Sequence, residues 1–272
     1  LAGTPHTSAA IQTSVELAAR HGAELTGVTV IDLGKLENVG PVPIGAGKEA
    51  QELREYRVSV TRERVEQDIE EFTAACRAAG ARWEVRREER ESPFDYLISQ
   101  SRYHDLMVFG LRGVFEYDVV GDPTSDPTHL LVRLISEGVR PILAVGAIYC
   151  PIRRVMIAYS GSVESARTMR RFVQLRPWPD IELCIATFEH DPQRSRQLLA
   201  EAARYCRAHD LQPETKLFEL SAKEHLLSEA AAWRADMIVM GNSAKSLLLR
   251  RVFGETALHT IRHATCPLFL DQ

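Results

Sequence analysis

One pattern runs twice through this chain of 272 residues, and no other feature restricts the fold as tightly. Cys76-Arg77-Ala78 returns as Cys206-Arg207-Ala208 at an offset of 130. Asp105-Leu106-Met107-Val108-Phe109-Gly110 returns as Asp236-Met237-Ile238-Val239-Met240-Gly241 at 131. Arg140-Pro141-Ile142-Leu143-Ala144-Val145 returns as Cys266-Pro267-Leu268-Phe269-Leu270-Asp271 at 126. Three matches in the same order, at nearly constant spacing, mean duplication. The fall in offset places about five extra residues in the first copy, between Gly110 and Pro141. The predicted domains are 1–146 and 153–272, joined by a short linker over Ala147–Arg153, with the halves packed tightly.

Within each copy, short apolar runs alternate with helical periodicity. In the second copy, strands are expected at Arg154–Tyr159, Ile181–Phe188, Thr215–Leu220, Met237–Met240 and Pro267–Leu270. Helices are expected at Glu164–Leu175, Pro192–His209, Ala222–Trp233 and Glu255–His263. Such alternation implies right-handed βαβ crossovers and a parallel sheet covered on both faces. The first copy repeats it with helices at Ala9–His21, Lys48–Ala79, Pro93–Arg102 and Pro127–Ser136. Its strands are expected at Leu25–Ile31, Arg82–Arg87, Leu106–Phe109 and Pro141–Val145, with a surface excursion at Leu33–Gly47. The counterpart of Arg154–Tyr159 is nearly absent. The expectation is that the first strand is truncated, with about five residues missing before Leu1.

Composition narrows function by exclusion. There are 33 Lys+Arg against 37 Asp+Glu, a charge of −4, which gives nucleic acid no bulk attraction. No apolar run approaches the ~20 residues that span a membrane. Five scattered cysteines without a CxxC pair cannot all form internal disulfides, and they fit a reducing cytoplasm. Cys184 is expected in the core and Cys150 at the surface. His259 and His263 stand at i, i+4, the spacing of a metal pair, but no third ligand is apparent, so no metal site is expected. Trp83, Trp178 and Trp233 are scattered and offer no stacking platform. The charged run Glu52–Glu71 reads as a solvated helix face or a partner surface.

Ligands of parallel α/β sheets bind beyond the carboxyl ends of the strands. In the second copy two loops fall there, Ser160-Gly161-Ser162 and Gly241-Asn242-Ser243-Ala244-Lys245-Ser246, with Gly254-Glu255-Thr256 opening the next helix. Glycines and small hydroxyls before a helix offer backbone N–H groups to an anion such as phosphate. They also serve as ordinary caps and turns.

The chain resembles a tandem universal stress protein, with two UspA-type domains in one polypeptide. The resemblance rests on Ala235–Gly241, on Arg262-His263-Ala264-Thr265-Cys266-Pro267-Leu268 and on Ala18-Ala19-Arg20-His21-Gly22-Ala23-Glu24-Leu25. It implies an α/β fold of two Rossmann-like (adenine nucleotide alpha hydrolase-like) five-stranded parallel-sheet domains. They form a pseudo-dimer through their last strands, Pro141–Val145 and Pro267–Leu270. It further implies a cytoplasmic, non-catalytic stress-response protein that binds ATP or another adenine nucleotide, with magnesium, and signals to a protein partner.

Many family members bind ATP through Gly-x2-Gly-x9-Gly-Ser/Thr and an Asp after the first strand. The second copy keeps Gly241 and Gly254, but Ala244 replaces the middle glycine, Glu255 the hydroxyl residue (Thr256 follows), and Ser160 the Asp. A carboxylate at Glu255 repels phosphate unless Lys245, Arg250 or Arg251 compensates. In the first copy Gly110 and Gly113 remain, the third glycine becomes Thr128, and Ala2-Gly3-Thr4 stands in place of Ser160-Gly161-Ser162. The nucleotide site is therefore expected in domain 2, with domain 1 a degenerate counterpart. Two alternatives stay open. One is a ligand-free interaction or regulatory module. The other is an ATP-hydrolysing or adenylating enzyme, since Ser160–Ser165 resembles the Ser-Gly-Gly-x-Asp-Ser loop of ATP pyrophosphatases.

Overall fold

The computed structural model describes all residues except 2, 91–93, 112–130, 132, 133, 136, 138, 140, 190, 242–253 and 272. The first half runs α1 (Thr7–His21), β1 (Glu24–Asp32), α2 (Leu33–Glu37), α3 (Gly47–Ala79), β2 (Arg82–Arg90), α4 (Phe94–Ser101), β3 (Met107–Gly110) and β4 (Ile142–Val145). The second runs β5 (Arg154–Ala158), α5 (Val163–Leu175), β6 (Glu182–Phe188), α6 (Pro192–Ala208), β7 (Pro213–Phe218), α7 (Ala222–Ala232), β8 (Met237–Gly241), α8 (Glu255–His263) and β9 (Leu268–Asp271). The mixed α/β architecture with mainly parallel sheets is the one the alternating pattern requires.

Seven strands form one sheet in the order β3-β4-β9-β8-β5-β6-β7. All its neighbours are parallel except β4 and β9, which run antiparallel with Leu143 opposite Phe269. Main-chain hydrogen bonding thus passes from one half to the other. Alternate residues of the strands feed two cores, one on each face. One holds Ile142, Ala144, Met156, Ile238 and Leu268, and the other Leu143, Val155, Ile157, Val239 and Phe269. Both cores mix residues of the two halves. Phe172 of α5 meets Phe269 edge-to-face at 5.3 Å, a geometry worth about 0.5–1.5 kcal/mol beyond area burial.

Polar contacts also clasp the halves. Glu16 of α1 accepts hydrogen bonds from the Tyr149 hydroxyl (3.0 Å) and from Nε1 of Trp178 (3.2 Å). Trp178 is almost fully buried, so that acceptor is needed. In the linker region, Asp236 accepts the backbone N–H groups of Arg153 and Arg154 at 2.9 and 2.8 Å, fixing the start of β5.

Local sequence explains the helix ends. Asp191 caps α6 by accepting from the N–H groups of Gln193 and Arg194, with Pro192 at the first helical position. Gly22 and Gly80 close α1 and α3 in the left-handed conformation.

One expectation needs correction. Leu33–Gly47 is not wholly a surface excursion: Leu33–Glu37 forms α2, and Leu36 is completely buried. One apolar residue at the right place was enough to dock a short helix. The described residues of the first half hold no counterpart of β5, the strand expected to be truncated. The four described strands of that half divide, with β1 and β2 forming a separate parallel pair and β3 and β4 joining the large sheet. The helix expected at Pro127–Ser136 falls largely outside the described residues; Leu131, Leu134 and Ile135, which are described, are buried.

Candidate functional site

β5 and β8 are adjacent and parallel, with Ala158 opposite Met240, so their carboxyl ends lie side by side at one edge of the sheet. After β5 the chain turns sharply at Gly161, whose φ of +73° suits glycine. A Cβ there would lie 2.5 Å from a methyl of Leu198, which would have to turn aside to admit it. Ser162 then caps α5, its hydroxyl accepting the N–H of Ser165 at 3.1 Å. Ser160 donates to the Ser165 hydroxyl at 3.2 Å and accepts from the N–H of Ser162 at 3.4 Å. The capping role anticipated for Ser162 is therefore real, and it occupies one of the amides that an anion would use.

Gly241 ends β8 against the first turn of α5. A Cβ on it would stand 2.7 Å from the carbonyl of Glu164 and 2.8 Å from the nitrogen of Ser165. This glycine lets the strand end close on the first turn of α5, because only a hydrogen fits between the two backbones. Asn242, Ser243, Ala244 and Lys245, with Arg250 and Arg251, lie outside the described residues.

Gly254 stands at the N-cap of α8 with φ −60° and ψ 138°. Glu255 follows, exposed, and pairs with Lys223 of α7 at 2.9 Å. That ammonium, by hydrogen bond and charge, holds the Glu255 carboxyl below its ordinary range. Sequence reasoning missed Lys223 as the cation beside Glu255. It stands 32 residues away, and only the packing of α7 on α8 brings the two together. Thr256 accepts at its carbonyl from the Thr260 hydroxyl at 2.8 Å.

The counterpart in the first half is already filled by protein. Gly3, with φ +65°, donates its N–H to Asp68 of α3 at 2.7 Å. Burial pushes the Asp68 carboxyl above its ordinary value, against the pull of that amide. Thr4 and Thr7 engage each other at 3.2 Å, and Ser8 donates to Glu71 at 2.6 Å. In the repeat alignment Asp68 corresponds to Leu198, so one copy places a carboxylate where the other places a methyl. Gly110 ends β3 as Gly241 ends β8, but a Cβ on it would meet the side chain of His6, at 2.6 Å, rather than helix backbone. Ala2 and Gly113 lie outside the described residues.

Among the described residues, no group of three His, Cys, Asp or Glu is placed to hold a metal ion. His259 and His263 stack at 4.3 Å, and His263 Nδ1 bonds to the His259 carbonyl. Cys150 is exposed, whereas Cys76, Cys184 and Cys206 are buried. No described helix is long and apolar enough to cross a membrane.

Residues 185–270, from within β6 to β9, match the profile of the universal stress protein family. The crystal structure of a universal stress protein from Archaeoglobus fulgidus DSM 4304 superposes with a TM-score of 0.65 at 16% identity, covering 96% of this chain and 91% of that one. This likeness along nearly the whole chain shows the fold. A universal stress protein in complex with cAMP aligns over 44% of this chain and 97% of its own, at 22% identity and a TM-score of 0.39. A universal stress protein family protein from Arabidopsis thaliana with AMP bound aligns over 44% and 90%, at 16% identity and 0.36. No curated protein matches the sequence.

Proposed function

We propose that the second half binds an adenine nucleotide at the carboxyl ends of β5 and β8, and that the protein acts as a non-catalytic cytoplasmic stress-response regulator. The observation that carries this reading is the apposition of the Ser160–Ser162 turn and Gly241 across two adjacent parallel strands, with Gly241 inside the region that matches the family profile and the turn before it. At this strand edge the N-terminal end of α5 offers amides and a positive helix end to phosphate. Lys223 offsets the charge of Glu255 at the start of α8. Magnesium would travel with a triphosphate. The first half serves as a structural partner, its equivalent loop being held by Asp68. No nucleophile hydrogen-bonded to a base is present among the described residues of the site: Ser160, Ser162 and Ser165 bond to one another and to backbone.

The protein is purified, denatured, and the supernatant assayed for ATP, ADP or AMP; the emptied and refolded protein is then titrated with ATP and magnesium by calorimetry. Released nucleotide, or saturable binding with one site per chain, is the expected result. Neither release nor binding at millimolar ATP would overturn the proposal and leave the ligand-free interaction module. Pyrophosphate or ADP production that falls on Ser160→Ala would instead establish an enzyme.

A further inference from the structure

α3 far outgrows its counterpart in the second half. With Cys76-Arg77-Ala78 level with Cys206-Arg207-Ala208, the start of α6 at Pro192 falls opposite Arg62, so Gly47–Thr61 has no equivalent. That overhang adds about 22 Å of helix. The buried positions of α3 begin only at Thr61 and continue through Val65, Ile69, Phe72 and Cys76. One flank of the overhang is held, where Arg54 and Arg57 donate to the carbonyls of Glu37 and Asn38 at 3.0 and 3.1 Å. On another face Glu49, Glu52, Leu53 and Tyr56 all stand exposed, at spacings of three, one and three residues. Four of the eight large apolar side chains exposed among the described residues, Val42, Ile44, Leu53 and Tyr56, lie in or just before this overhang. Single exposed apolar residues are ordinary, but a cluster of them marks a contact surface.

α5 carries the converse face. Val163, Arg167 and Arg170 are exposed and Ala166 half-buried, while Ser165, Thr168, Met169, Phe172 and Val173 are buried. Val163, Ala166, Arg167 and Arg170 repeat the spacing of three, one and three. We propose that the overhang of α3 docks on α5 of a second copy of this chain, with the two helices antiparallel. In one register Tyr56 then meets Val163, Leu53 meets Ala166, Glu52 meets Arg167 and Glu49 meets Arg170. Apolar groups fall on apolar groups and carboxylates on guanidinium groups. Glu52 already pairs with Lys48 at 3.4 Å, but both are exposed, and such pairs exchange at little cost. Pairing α3 with α3 of the second copy is disfavoured: centred on Tyr56, it sets Glu49 against the exposed Glu63. The two halves are biased in the same sense. Residues 1–146 hold 16 Lys+Arg against 23 Asp+Glu, and residues 147–272 hold 17 against 14. Charge complementarity of this kind steers encounter and fixes register. The two faces differ, so the contact is heterologous and links copies head to tail. About two turns of helix bury far less than the ~1,200 Å² of a stable interface, so the association is weak and concentration-dependent. The inference is independent of nucleotide binding.

The test is sedimentation velocity of the full chain from about 10 µM to about 1 mM, at roughly 50 and roughly 500 mM NaCl. At the lower salt the sedimentation coefficient should rise with concentration. At the higher salt the association constant should fall about tenfold, because exposed ion pairs are screened. Two variants, Glu49→Arg/Glu52→Arg and Arg167→Glu/Arg170→Glu, should each stay monomeric up to about 1 mM. Their circular dichroism and melting should match the wild type, since all four side chains are exposed. Mixed in equal amounts, the two variants should associate again, because each offers the charges that the other lacks. Association of the Arg167→Glu/Arg170→Glu chain by itself, as strong as that of the wild type, would take α5 out of the contact and overturn the pairing. A wild-type chain that is monomeric throughout, or a mixture that stays monomeric, would overturn it equally.

Discussion

Gly241→Ala tests the contact that closes the end of β8 on α5. The new methyl would stand 2.7 Å from the Glu164 carbonyl carbon and oxygen and 2.8 Å from the Ser165 nitrogen, all of them backbone. Ordinary contact begins at 3.4 Å, so strand end and helix must part by about 0.7 Å. Neither is free to do so cheaply. β8 lies between β5 and β9, and α5 packs against it through the buried Met169, Phe172 and Val173. Overpacking of this kind costs about 1–3 kcal/mol. At roughly 2–4 °C per kcal/mol, the middle of that range lowers Tm by about 6 °C. The control is Gly47→Ala in the first turn of α3, where a Cβ meets nothing within 4 Å. That change should leave Tm equal or higher, by up to about 1 kcal/mol, because alanine is the better helix former. Thermal melts of both variants decide the matter. A Gly241→Ala protein that melts with the wild type would refute the reasoning, since the strand end would then have room that the structure denies it.

Other outcomes follow from the same geometry. Removing the carboxylate by Glu255→Ser frees the Lys223 ammonium and should tighten ATP binding, with calorimetry as the readout. Thr187→Val should be neutral or stabilising in a urea melt, because the Thr187 hydroxyl is fully buried without a hydrogen bond. Burial pushes the thiols of Cys184 to about 12 and of Cys206 and Cys266 to about 11, from an ordinary value near 9. The unfolded chain therefore loses protons first as pH rises, and stability should decline from about pH 9 toward pH 11–12, each thiol adding up to ~1.4 kcal/mol per pH unit within its window. A flat urea midpoint between pH 8 and 10.5 would contradict this. Alkylation of the native protein should modify Cys150 first, with Cys76, Cys184 and Cys206 reacting only on unfolding, as peptide mapping would reveal.

Period and repeat made most of the fold legible. Met169, Phe172 and Val173 of α5 and Leu226 and Ala230 of α7 are buried as their spacing required. Strand limits moved by one to three residues: β2 runs on past Arg87 to Arg90, and at β7 Pro213 begins the pairing and Leu220 lies outside it. α2 escaped because five residues are too few to display a helical period, and Leu36 is buried by α3, which follows in sequence. At the candidate site, glycines could be read as positions but not as reasons. Gly161 and Gly241 answer to Leu198 and to the backbone of α5, partners that sequence spacing does not name. Lys223 and Asp68 were invisible for the same reason, each acting on a loop from a different element.

The antiparallel pairing of β4 with β9 puts two unequal copies on one polypeptide. In a symmetric dimer every substitution appears twice, and each half must keep whatever the other needs. A fused pair is released from that rule. One copy can trade a methyl for the carboxylate of Asp68 while the other keeps Leu198, and the cores that both halves share still hold them together. Asymmetry of this kind lets the two halves diverge loop by loop, at no risk that identical subunits will mix and average the difference away.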